Sequence, residues 1–205
     1  MKHLLNFATV MLLGVTLVFS SCDKDDDPEP ENNDVVSGTI TINATAYDKW
    51  IYFSFANEKE VEVNDFSNSS DWDIGFHRQD IRVNCGKSGT GKGGTYNAGK
   101  VDFASFAEAP ETGYLLNDSI EILEAFVMPP VKVKVPGDTL LAKWIDIKYG
   151  QAGPEYTVSN NIYVVKTADA KYAKIWLKDY FNDNSETGYI TMKYTYQPDG
   201  SNKLK

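Results

Sequence analysis

Tyr189-Ile190-Thr191-Met192-Lys193-Tyr194-Thr195-Tyr196 is the stretch that decides the fold class. Side chains alternate across an extended strand, so Ile190, Met192, Tyr194 and Tyr196 share one face while Thr191, Lys193 and Thr195 lie on the other. Helical spacing would scatter the same apolar residues around the whole circumference. Working outward, runs rich in Val, Ile, Thr and aromatics recur at residues 39–44, 50–55, 72–76, 81–84, 120–123, 131–135, 162–165 and 173–177, between clusters of Gly, Pro, Asn and Asp. Each reads as a strand bounded by turns. No segment carries the period of a long helix, and no internal repeat is visible. Short connections pair neighbouring strands through hairpins, so the chain is expected to be all-β, an antiparallel two-sheet arrangement like a sandwich.

The first 21 residues stand apart from this pattern. Lys2 supplies a small basic region, and residues 4–19 are mostly apolar. This is a signal peptide by length and flanks, too short for a membrane span. Ser20-Ser21-Cys22 follows, small residues ahead of a cysteine, as in a bacterial lipoprotein signal whose cleavage leaves Cys22 to carry lipid. More than one acyl chain gives stable anchoring. Residues 23–34 hold seven acids, one Lys, two Pro and nothing apolar to bury, so residues 22–35 read as a lipidated acidic tether. Residues 36–205 remain for one well-cored domain. The chain carries a net charge of −9; without Lys2 the mature chain stands at −10, of which the tether holds −6. A mildly acidic domain without clustered cations gives no support to nucleic-acid binding.

Asn84-Cys85-Gly86-Lys87-Ser88-Gly89-Thr90-Gly91-Lys92-Gly93-Gly94 imitates a phosphate-binding loop. Gly86, Gly91 and Lys92 hold the right spacing, but Gly93 stands where that loop needs the Ser or Thr that holds magnesium. The following Gly93-Gly94-Thr95-Tyr96-Asn97-Ala98-Gly99 is a poor helix former, so no helix N-terminus grips a phosphate. With Cys22 lipidated, Cys85 is the only thiol left and His77 the only mature histidine. A His-rich or Cys-rich metal site cannot be built from them. Cys85 is expected as a small buried residue. Asp179, Asp183 and Glu186 follow no calcium-loop spacing and read as a solvated turn. Without a nucleophile elbow or a paired-acid couple, the chain is not expected to be an enzyme.

Several separate blocks carry a more specific signal: Tyr47-Asp48-Lys49-Trp50-Ile51-Tyr52-Phe53-Ser54-Phe55, Trp72-Asp73-Ile74-Gly75-Phe76-His77-Arg78, the glycine-rich stretch, Tyr149-Gly150-Gln151-Ala152-Gly153-Pro154-Glu155-Tyr156, Lys166-Thr167-Ala168-Asp169, and the closing strand. In this order they resemble the HmuY family of haem-binding lipoproteins of the Bacteroidetes. The resemblance implies an all-β haemophore that holds haem (iron protoporphyrin IX) in loops on one side of the fold. It also implies acquisition from host haem proteins and transfer to a TonB-dependent outer-membrane receptor. The acids after Cys22 resemble the surface-export signal of such lipoproteins, which implies an outer-membrane, surface-exposed location.

The same resemblance points to the iron ligands. The best-known members use two histidines, which this chain lacks: His3 leaves with the signal and His77 falls in a block that belongs to the scaffold. The second ligand of the family stands just before the Gly of a Gly-x-Ala-Gly-Pro turn, and here that residue is Tyr149, whose phenolate is a known kind of haem ligand. The first comes from the preceding hairpin, where Met128 in Phe126-Val127-Met128-Pro129-Pro130 is the candidate. Neither proline can donate to a ladder, which puts Met128 in a turn or at a sheet edge. Met192, on the apolar face of the last strand, is expected to pack. Phe126 and Tyr156 are candidates to stack on the porphyrin, and Lys132 or Lys134 to pair with propionates. Packing of Met128 and Tyr149 in a hairpin is the alternative, and with it a lipoprotein of the same fold that binds a glycan, a host protein or another tetrapyrrole.

Overall fold

A computed structural model of the chain describes residues 34–205. The signal segment 1–21, the lipidation candidate Cys22 and all but the last two residues of the tether lie outside the described residues. The strands run β1 Val36–Asn43, β2 Ile51–Ser54, β3 Lys59–Val61, β4 Ile74–His77, β5 Asp80–Val83, β6 Gly94–Gly99, β7 Asp118–Ala125, β8 Val131–Gly137, β9 Ile145–Gly150, β10 Gly153–Val158, β11 Ile162–Lys166, β12 Tyr172–Phe181 and β13 Thr187–Gln197. Every pairing is antiparallel. One sheet has the order β1-β13-β12-β11-β6 and a second β3-β2-β4-β5; β7–β8 and β9–β10 each form a two-stranded sheet of their own. The fold is thus all-β, with two principal sheets and two hairpins beside them.

The alternation in the closing strand works as the sequence requires. Ile190, Met192, Tyr194 and Tyr196 are buried and meet Phe53 and Ile74 of the second sheet, and Phe55 just beyond β2, in one core. Phe53 and Phe55 contact the Tyr194 ring edge-on at centroid separations of 5.5 and 5.7 Å, a geometry aromatic quadrupoles favour. Met192 is therefore a core thioether.

The seam between the sheets is held by buried polar groups. Asp73 accepts the Phe55 N–H through one carboxylate oxygen and the Ala168 N–H through the other, both at 2.9 Å. Burial nonetheless raises its pKa to about 6, because two hydrogen bonds do not fully replace the lost water. Asn84 donates to the carbonyls of Ser69 and Trp72 at 2.9 Å each and accepts the Gly91 N–H at 3.0 Å. This explains the glycine-rich stretch. A Cβ at Gly91 would lie 2.5 Å from the Asn84 carbonyl oxygen, one at Gly93 would lie 2.7 Å from it, and one at Gly89 would strike the Asn84 side chain. The glycines let the loop close on its own asparagine, after a single 3-10 turn at Gly86–Ser88. Cys85 is fully buried and accepts the Asn117 N–H at 3.4 Å, and burial pushes its thiol up to about 11.

Candidate functional site

The first hairpin, β7–β8, turns through Phe126-Val127-Met128-Pro129-Pro130, where the absence of proline N–H groups ends the ladder; the Met128–Pro129 peptide is cis. Its tip exposes large apolar side chains: Phe126 is 71% exposed and Met128 94%. The second hairpin, β9–β10, turns at Gly150 to Gly153, and Gly153 takes φ 114°, in the region that favours glycine. Tyr149 stands opposite Pro154 at the end of this ladder and is 78% exposed. Exposed apolar groups concentrated at two neighbouring tips signal a binding surface more than a packing one.

A cleft of about 440 Å³ opens between the hairpins and the main sheets. Leu123 and Phe126 come from the first hairpin, Ile147, Tyr149, Pro154 and Tyr156 from the second, and Tyr47, Arg78, Gln79, Tyr180 and Thr187 from the body of the protein. Phe126 stacks on Tyr47 at 6.3 Å and 21°, and Tyr156 meets Tyr180 at 5.7 Å and Phe181 edge-on at 5.1 Å. Such an aromatic-lined cavity, with a cation, an amide and several hydroxyls on its walls, suits a flat ligand with apolar faces and a polar edge. A larger cleft, about 530 Å³, runs past Trp50, Tyr52 and the edge strand β3, but no such set of rings from separate elements converges on it.

Arg78 is the charge in the first cleft. Its backbone takes φ 51° at the β4–β5 turn. Its guanidinium lies 4.7 Å from the Tyr47 ring centroid and 5.8 Å from that of Tyr180. Nη1 donates to the Thr45 and Thr187 carbonyls at 3.1 and 3.2 Å, and Nη2 to the Thr187 hydroxyl at 2.9 Å. Gly188, at φ 97°, makes room for it, since a Cβ there would meet Nη1 at 2.5 Å. Burial raises the pKa of Tyr156, Tyr149 adds to that and Arg78 opposes it; Tyr180 is raised by burial as well. Both phenols are held in their neutral form.

Of the residues singled out in the sequence, Tyr149, Phe126 and Tyr156 come together in this cleft. Met128 does not line it; it stands two residues past Phe126 with its side chain in solvent. Lys132 bonds Glu121 across the hairpin at 2.9 Å, and neither it nor Lys134 reaches the cleft wall. His77 is 1% exposed, its Nε2 bonds the Tyr47 carbonyl at 2.8 Å, and its ring stacks on Trp50 at 5.3 Å. It positions the Tyr47 segment. Asp179 accepts the N–H groups of Tyr180 and Phe181, and Glu186 is bonded by Asn182, so both serve the turn between β12 and β13. Among the described residues no group of three or more His, Cys, Asp or Glu is placed to hold a metal ion. Tyr47, Gln79, Tyr180 and Thr187 went unsingled in the sequence as cleft residues, although Tyr47 and Arg78 lie in quoted blocks.

A family model described as HmuY protein matches residues 46–194. Three solved structures are similar. An apo HmuY analogue of Tannerella forsythia shares 24% identity, with 80% of this chain and 97% of that one covered at a TM-score of 0.64. A protein of Bacteroides vulgatus described as HmuY-like and heme-binding shares 29% identity over 77% and 90% of the two chains, TM-score 0.63. Apo PinO of Porphyromonas gingivitis shares 18% over 79% and 97%, TM-score 0.65. At their identities the first and third speak to the fold alone. No curated protein matches the chain.

Proposed function

The chain belongs to the HmuY family, and from that premise we propose that it is a lipid-anchored surface protein that binds haem in the aromatic cleft and passes it to a TonB-dependent outer-membrane receptor. It works by binding, not catalysis. The observation that carries this reading is the convergence of Phe126, Tyr149, Tyr156, Tyr47 and Tyr180 on one cleft between two hairpins. Ring faces and aliphatic walls match the apolar faces of a porphyrin, and the Tyr149 phenol offers an oxygen donor for ferric iron. Met128 remains the candidate for the opposite face, as a thioether suited to ferrous iron. Cys22 carries the lipid and residues 22–35 hold the domain away from the membrane.

Titrating haem into the protein in air and then under dithionite tests the reading. A saturable shifted Soret band is expected, and its dependence on redox state reports whether phenolate or thioether dominates. One observation favours a second reading, a haem-free relative that uses the cleft for another ligand: Met128 stands outside the cleft wall, and His77, the histidine among the described residues, is buried with its Nε2 on the Tyr47 carbonyl. No saturable change in either redox state would select that reading.

A further inference from the structure

The outward face of the five-stranded sheet divides into two halves. Loop and C-terminal residues cover one: Ala109, Val164 and Leu204 form a small second core, Leu204 N–H donates to the Ala107 carbonyl at 2.8 Å, and Phe103 is 7% exposed. Where β1, β13 and β12 lie side by side the face is open. Thr39, Thr41 and Lys178 are exposed there, and Trp176, Thr191 and Lys193 partly so. Register sets Trp176 opposite Lys193, and Lys193 opposite Thr39. Lys178 Nζ lies 5.3 Å from the Trp176 ring centroid. At the boundary of the two halves, Lys193 Nζ and Lys174 Nζ lie 4.7 and 4.8 Å from the Phe103 ring centroid.

These three ammonium groups are gathered on one side of the sheet and, like Lys92, Lys134 and Lys166, stand outside the ion pairs among the described residues. Lys87, Lys132, Lys148, Lys171 and Lys203 each have a carboxylate partner, whereas among the described residues Lys174, Lys178 and Lys193 form no ion pair. Lys174 turns instead to the carbonyls of Phe103 and Phe106, and burial, then the like charges of Lys193 and Lys205, lower its pKa. In a chain of net charge −9, this strip gathers three ammonium groups, of which Lys174 has Asp102 as a neighbouring acid, and its field attracts anions.

We propose that this face is a second binding surface, separate from the cleft, for an acidic polysaccharide bearing carboxylate or sulfate groups. The Trp176 indole offers an apolar face to the C–H side of a sugar ring. Lys178 and Lys193 flank it as point charges for the acidic substituents. Thr39, Thr41 and Thr191 add a row of hydroxyls, with Thr41 and Thr191 3.0 Å apart, that can donate and accept along the sugar chain. The chain's two arginines, Arg78 and Arg82, both lie elsewhere, so the bidentate forks that favour a phosphate backbone are missing from this face.

Retention of the full chain on immobilised heparin and on polygalacturonate at low salt tests the proposal, with dextran, anionic phospholipid vesicles and a single-stranded oligonucleotide alongside. Salt-sensitive binding to both acidic polysaccharides and none to dextran is expected. A Lys178→Gln/Lys193→Gln double variant should bind about tenfold more weakly, with its unfolding curve and haem titration unchanged. Trp176→Ala should lose binding by a similar factor and Trp176→Phe by less. Absence of binding to both polysaccharides overturns the proposal, as does binding that survives the double variant. Tighter binding to vesicles or to the oligonucleotide than to polysaccharide overturns the assignment of the ligand.

Discussion

The seam around Asn84 and Asp73 and the tips of the two hairpins are treated in opposite ways. At the seam, polar side chains are taken out of water and given fixed partners: Asn84 makes three hydrogen bonds and Asp73 joins backbone groups of both sheets. At the tips, apolar side chains are left in water, Met128 at 94% and Tyr149 at 78% exposed. Each arrangement is unfavourable by itself. The first is offset within the protein and sets its stability; the second is offset only when something else covers the tips. Stability and binding should therefore respond to different substitutions.

The strongest way to break that division is Asn84→Ala, which strands two buried carbonyls and the Gly91 N–H; a loss of about 3 kcal/mol in urea unfolding is expected. His77→Ala removes a buried ring and its bond to the Tyr47 carbonyl, with an expected loss of about 2 kcal/mol and little change in the haem spectrum. If the haem spectrum collapses while stability holds, His77 belongs to the site and not to the scaffold.

A smaller effect comes from pH. Asp73 has a folded-state pKa of about 6, above its value in the unfolded chain, so its contribution to stability is full at acid pH and is lost as pH rises through 6. Burial raises Asp80 and Asp138 in the same direction. The protein should be more stable at pH 5 than at pH 7, by about 1 kcal/mol from Asp73 alone; a flat or opposite profile would show that the carboxylate is better solvated than its burial implies. The smallest changes in stability, within about 0.5 kcal/mol, are expected for Met128→Ala and Tyr149→Phe, yet these should shift the reduced and the oxidised haem spectra respectively. Unchanged spectra in both would remove the two residues as iron ligands.

The strands with apolar alternation or β-branched runs were legible, including the whole of the closing strand and its core face. Four others are absent from the sequence reading, two of them for want of a local signal. β6, Gly94–Gly99, has low strand propensity and forms because β11 offers a partner across Val164 and Val165; that is a tertiary effect. β3 spans only three residues. β9 did carry a signal, with Ile145, Ile147 and Tyr149 alternating against Asp146 and Lys148, and β10 follows from it through the Gly-containing turn. At the site, Tyr149 could be singled out from its place before a glycine turn, and Phe126 from its place in the Pro-rich hairpin. Tyr180 and Thr187 could not, because the register irregularities of β12 against β13 that bring them to the cleft have no local sequence mark.

The closing strand has one more consequence. Among the described residues β1 comes first and has a single partner, β13, pairing Val36 with Tyr196, so an early strand waits for the last of them. A chain delivered from its N-terminus, by ribosome or export channel, holds β1 as an unpaired edge until nearly all of it has emerged. Loop-closure entropy over that span makes this pairing a slow, late event. The polar Ser37, Thr39 and Thr41 that alternate along β1 then have a role before the native state exists: they keep a waiting strand soluble.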